Sequence, residues 1–131
     1  MEEVYVMFDE VSEWLDNLLE DASETGIPDE VKAFGFNLYD DGDYNWSMEL
    51  VGTSEFDADN EDWLCDEVTD FGTREEPFQW NRKAEWDEIF SDIICVLKEY
   101  LKSGKYGAVL KETAGVGVGF VDGDVEILYV R

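Results

Sequence analysis

The sequence predicts an α+β fold: an antiparallel sheet, two main helices packed on one of its faces, and a C-terminal β-hairpin at its centre. Three observations lead there. Two long stretches repeat apolar residues at three- and four-residue spacing, the mark of amphipathic helices. Shorter stretches alternate apolar with polar residues, the period of half-buried strands. Gly- and Asp-containing links between those stretches are short enough to favour antiparallel hairpins. The chain of 131 residues shows no linker and no internal repeat, so residues 1–131 form a single acidic domain.

The first helix is predicted over Val4–Ala22, where Phe8, Val11, Leu15, Leu18, Leu19 and Ala22 make one stripe with Trp14 beside it. Gly26 and Pro28 end it. Phe34, Phe36 and Leu38 alternate with Gly35, Asn37 and Tyr39 in a first strand, and Trp46, Met48 and Leu50 mark a second. Asp40-Asp41-Gly42-Asp43 joins them as a turn. Glu55 onward reads as a loop, followed by a strand over Trp63–Val68 with apolar Leu64 among charged neighbours. Gly72–Asn81 is expected to be irregular because Pro77 interrupts it, with Phe78 and Trp80 dipping into the core or a groove.

Ala84–Leu101 is a second helix with Trp86, Ile89, Phe90, Ile93, Leu97 and Leu101 on its apolar face, stopped at Gly104. Tyr106–Glu112 is expected to form one or two helical turns. The terminal stretch Val116–Val130 folds about Asp122-Gly123, a two-residue hairpin signal. The resulting pairs are Phe120/Val125, Val118/Ile127 and Val116/Tyr129, all on one face. Gly115, Gly117 and Gly119 lie on the other, leaving room for a side chain or backbone to approach closely. The second helix against this hairpin is the expected core.

Charge bounds the function. Nine Lys+Arg stand against 34 Asp+Glu, a formal net charge of −25. Such a surface repels nucleic acid and anionic membranes and attracts basic proteins or multivalent cations. Hydrophobic content of 44%, with 15% aromatic, argues for a folded core in spite of that charge. No apolar run nears the roughly 20 residues a membrane span needs. Met1-Glu2-Glu3 leads into no apolar leader, so a cytoplasmic protein is expected, with Cys65 and Cys95 as reduced, buried thiols.

Histidine is absent, which removes the usual general base, the common zinc ligand and the histidine dyads. Thiol catalysis at either cysteine would lack its partner in an electronegative setting. With 34 acids some carboxylate pair always has workable spacing, so a glycosidase reading carries no weight. Asp57-Ala-Asp-Asn-Glu-Asp suggests a calcium loop, but its sixth position is Asp62 and its twelfth Val68, where Gly and Glu are required. The loop starting at Asp41 fails likewise, with Trp46 and Gly52 there. Gly115-Val-Gly-Val-Gly lies inside a strand and opens no helix, unlike a phosphate loop. No enzyme, metal or cofactor is expected.

An acidic surface with aromatic punctuation remains: Asp57, Asp59, Glu61, Asp62, Trp63, Asp66, Glu67 and Asp70, joined by Asp40, Asp41 and Asp43. Charges of this kind steer encounter, while a tryptophan supplies a contact core unless it belongs to the protein's own interior. The run Trp63-Leu-Cys-Asp-Glu, the helix end Lys98-Glu-Tyr-Leu and the segment Gly119-Phe-Val-Asp-Gly-Asp resemble small acidic immunity proteins of bacterial polymorphic-toxin systems, over roughly the second half of the chain. That resemblance implies a protein that binds and neutralises a cognate basic toxin domain, often a nuclease, and it carries over no catalytic residue. Two other readings stand beside it. One is a phosphate-mimicking inhibitor of another nucleic-acid-binding protein; the other is an accessory protein or enzyme whose charge serves only solubility.

Overall fold

The computed structural model describes residues 2–121 and 123–131, with the side chains of residues 2–6 and of Glu61 outside the description. In chain order the elements are α1 (Glu2–Thr25), β1 (Ala33–Gly42), β2 (Asn45–Thr53), a 3-10 turn (Glu61–Cys65), β3 (Glu67–Thr69), β4 (Phe78–Asn81), α2 (Trp86–Ser103), α3 (Gly107–Leu110), β5 (Gly115–Phe120) and β6 (Val125–Val130). The sheet runs β3-β2-β1-β5-β6, with β4 also paired to β2, so the protein is α+β as predicted.

Alternation along β1 and β2 sorts side chains to two faces. Phe34, Phe36, Leu38, Met48 and Leu50 join Val116 and Val118 of β5 on one face. Met7, Val11, Leu15 and Leu19 of α1 and Ile93, Val96, Leu97 and Tyr100 of α2 cover it in one buried cluster. Burial at roughly 1.5–3 kcal/mol per large apolar side chain is what offsets the self-repulsion of so acidic a surface. Gly26 ends α1 as expected: it adopts φ +97°, and its N–H closes on the Ala22 carbonyl.

Several expectations are corrected. The terminal hairpin is not the centre of the sheet; β1 is, while β5 is its neighbour and β6 an edge. β1 and β5 run parallel, from Ala33↔Gly115 to Leu38↔Phe120. β4 also runs parallel to β5, with β2 and β1 between them, so α2 serves as the crossover that joins them. The predicted pair Val116/Tyr129 forms, but Leu128 is bulged out. The remaining pairs therefore shift by one, to Val118↔Glu126 and Gly119↔Val125. The predicted Asp122-Gly123 turn falls on Asp122, which lies outside the described residues.

Of the predicted strand Trp63–Val68, Trp63–Cys65 complete the 3-10 turn and only Glu67 and Val68 fall in the three-residue β3, while Phe78–Asn81, expected to be irregular, pairs with β2 as β4. Trp86 is the first residue of α2 and 59% exposed, because its end of the helix overhangs the packed face. Both cysteines are free but exposed, against the expected burial. Reductant should therefore leave the melting temperature unchanged, while both thiols react with a thiol reagent in the folded protein. Slow or absent labelling of either would contradict their exposure.

Candidate functional site

The sheet face away from the helices decides where the predicted site residues lie. Its β5 floor is glycine, as the sequence suggested, and the segment after β2 uses it. Phe56 lies where a Cβ on Gly115 would be, Leu64 does the same over Gly35, and a Cβ on Gly117 would sit 2.8 Å from the Trp63 ring. Phe56 and Trp63 stack edge-to-face with centroids 4.9 Å apart. Trp63 is thus only 2% exposed. It is a core residue of this second layer, with no ring surface left for a partner.

Anchoring Trp63 pushes its acidic neighbours outward. Asp57, Asp59, Asp62 and Asp66 are exposed, and none of the four meets a Lys or Arg among the described residues. They do order their own loop: Asp57 Oδ1 accepts from the Asp59 N–H at 2.9 Å, and the Asn60 side chain caps Asp62 N–H at 3.0 Å. Glu61 lies in the same 3-10 turn, its side chain outside the description. Glu67 and Asp70 are half-buried and already engaged. Glu67 accepts from Arg74 at 2.6 Å, and Asp70 accepts from the Gly72 N–H at 3.0 Å.

Asp40, Asp41 and Asp43 are exposed at the β1–β2 tip. β3 flanks Gly52 and Thr53, which pair with the opposite end of β1. At about 3.3 Å per residue the two acidic groups are roughly 20–30 Å apart, so the fold does not merge them into one site.

Between them, on the same outer face, lies a network that sequence reasoning missed. Glu49, on β2, is almost fully buried. Its Oε1 accepts from Asn37 Nδ2 at 2.9 Å, Tyr39 Oη at 2.7 Å and Arg74 Nη2 at 3.1 Å, while Oε2 takes Arg74 Nε at 3.3 Å. Burial alone would raise the Glu49 carboxyl, but the bonds from Arg74, Asn37 and Tyr39 outweigh it and hold it below the usual range. Burial, then the bond to Glu49, pushes Tyr39 up to about 12. Both Glu49 oxygens accept hydrogen bonds, which makes the network a structural clasp between β1, β2 and the β3–β4 loop. The strand alternation offered a signal, since Asn37, Tyr39 and Glu49 share one face, but Arg74 reaches them only through tertiary folding.

A second feature was missed at the tip. Asp43 and Tyr44 occupy the two central turn positions with φ 54° and 62°, and Tyr44 is 43% exposed. Both positive φ values match the right-handed twist of the flanking strands, although a tyrosine in that conformation is strained. Across a groove stands Trp86, its ring edge-on to Phe120 at 6.1 Å. Helical periodicity hid Trp86, because its spacing to Ile89, Phe90 and Ile93 is that of a core residue.

Comparison of the chain with protein-family models, with curated proteins and with solved structures finds no match in any of the three. The functional reading therefore rests on geometry and charge. Among the described residues no helix is long and apolar enough to cross a membrane, and no three acidic or thiol side chains are grouped to hold a metal ion.

Proposed function

We propose that this protein is a toxin-neutralising immunity protein, which binds a basic toxin domain, a nuclease by preference, and covers its phosphate-binding surface with carboxylates. The observation that carries the reading is the row of carboxylates Asp57, Asp59, Asp62 and Asp66, without a Lys or Arg partner among the described residues and held outward by the packing of half-buried Phe56 on buried Trp63. In contrast, Arg74 and Arg82, two of the nine basic residues, are engaged by acidic side chains of the chain itself. A rigid acidic loop steers a basic partner and loses little entropy on binding it. The resemblance of the second half of the chain to acidic immunity proteins supplies the partner class.

The test uses a purified basic nuclease toxin domain, sought first among the products of neighbouring genes. Its association rate should fall steeply as salt rises. With Asp57, Asp59 and Asp62 changed to Asn and Glu61 to Gln, the rate should fall at least about 10-fold, and folding should be retained. Changing Glu10, Glu13 and Glu20 on α1 to Gln and Asp16 to Asn, which keeps an oxygen for the Tyr100 hydroxyl, removes the same four charges as a control, and an equal loss there means that only net charge matters. Unchanged protection of cells by both variants would sink the electrostatic mechanism. Inhibition of several unrelated DNA-binding proteins by the wild type would instead point to a general phosphate mimic.

A further inference from the structure

We propose that the groove between the β1–β2 tip and the start of α2 is a receptor for an arginine side chain presented by a basic protein partner. The proposal rests on the reading of this chain as an acidic partner-binding protein and names the group that such a partner inserts. The groove, of about 340 Å³, is lined by Asp40, Asp43, Tyr44, Trp46, Glu85 and Trp86. Its walls are aromatic and its rim is carboxylate.

Each part is held in place. Trp46 forms a buried floor, its indole N–H donating to the Arg82 carbonyl at 3.0 Å. Phe120 packs against both Trp46 and Trp86, with centroids 6.0 and 6.1 Å away, so the Trp86 ring is backed on one side and 59% exposed on the rest. Tyr44 presents its ring from a left-handed backbone position. The Glu85 side chain makes no capping bond to α2 and remains exposed. Arg82, the nearest guanidinium in sequence, is committed to Glu88 and Asp92.

Aromatic faces beside carboxylates suit a planar cation, which stacks on the rings and bonds to the rim oxygens. The N-terminus of α2 opposes this with roughly half a positive charge. Three full negative charges lining the groove outweigh it, and Asp87 and Glu88 in the first turn reduce it further. An anionic or neutral apolar occupant would meet those carboxylates unpaired.

The test titrates the isotopically labelled protein with N-acetyl-arginine amide in about 150 mM salt, where the Debye length is about 8 Å. The Trp86 indole and the Tyr44 amide should shift saturably at millimolar probe. N-acetyl-glutamine amide should leave both in place, and N-acetyl-lysine amide should bind at least threefold more weakly. Trp86→Ala should abolish the shifts at Tyr44. Tyr44→Gly should weaken binding at least fivefold while raising the melting temperature, since it relieves the left-handed tyrosine. Equal shifts along Asp57–Asp66, or equal response to lysine, would overturn the proposal in favour of diffuse charge attraction. Absence of shifts would overturn it as well. Either failure leaves toxin association through the Asp57–Asp66 row intact, whereas loss of that association with a working groove would defeat only the earlier reading.

Discussion

Trp63→Ala should cost about 3–5 kcal/mol of stability, the range for truncating a buried aromatic residue. The ring is 2% exposed and fills the space above Gly117 and beside Phe56, so its removal leaves a cavity that the glycine floor cannot close. Its indole N–H finds no acceptor among the described residues, so packing supplies the stabilisation. Trp63→Phe, which keeps a ring and removes the unpaired donor, should cost far less, about 1 kcal/mol. Gly117→Val attacks the same contact from below. Its Cβ would lie 2.8 Å from the Trp63 ring, and overpacking should cost about 1–3 kcal/mol. Chemical denaturation measures all three. A Trp63→Ala protein as stable as the wild type would mean that this layer contributes nothing to the fold and would return Trp63 to the list of partner contacts.

Arg74→Met should be the next most damaging change, at about 2–3 kcal/mol. It leaves the Glu49 carboxylate buried without its counter-charge, although Asn37 and Tyr39 still donate to it. The cost falls below that of a fully buried pair, about 3–5 kcal/mol, because the Arg74 side chain is 52% exposed against 3% for Glu49, and water screens the outer half of the pair. Glu49→Gln in the same chain should recover part of the loss, since a neutral amide tolerates the site better than an unpaired charge.

The pH dependence follows from the same clasp. Glu49 is held below its ordinary value, so its contribution is present above the ordinary glutamate range and is lost as pH falls through the depressed value. Tyr39 is raised from 10.0 to about 12, so its contribution is complete below 10.0 and is lost as pH rises through about 12. Glu49→Gln should remove the acid limb and move the tyrosine ionisation downward, though burial, its largest cause, remains. An unchanged acid limb in that variant would show that other carboxylates set it.

The local elements were legible because each answers to a short-range rule. The stripe Val11, Leu15, Leu19 specifies α1 by its spacing, and Gly26 specifies its end by the backbone conformation it alone adopts without strain. The alternation through Phe34, Phe36 and Leu38 specifies β1 and its buried side. Even the glycines of β5 announced a close approach. What would approach them was not written locally: Phe56 and Trp63 lie far upstream in the chain, and the same string of acids around a tryptophan suits either an interface or a core.

Tertiary structure alone decided the remainder. Short links favour antiparallel neighbours, so the parallel pairing of β1 with β5, separated by β2, β3, β4 and α2, left no local trace. It made β1 the centre and sent β6 to the edge. Trp86 carried core spacing but landed at a helix start that overhangs the sheet, where periodicity says nothing about what lies opposite. Glu49 carried the pattern of an outward residue and became buried because Arg74 folds over it. Period and turn chemistry act over a few residues; which face is covered, and by what, depends on contacts that exist only once the chain has closed on itself.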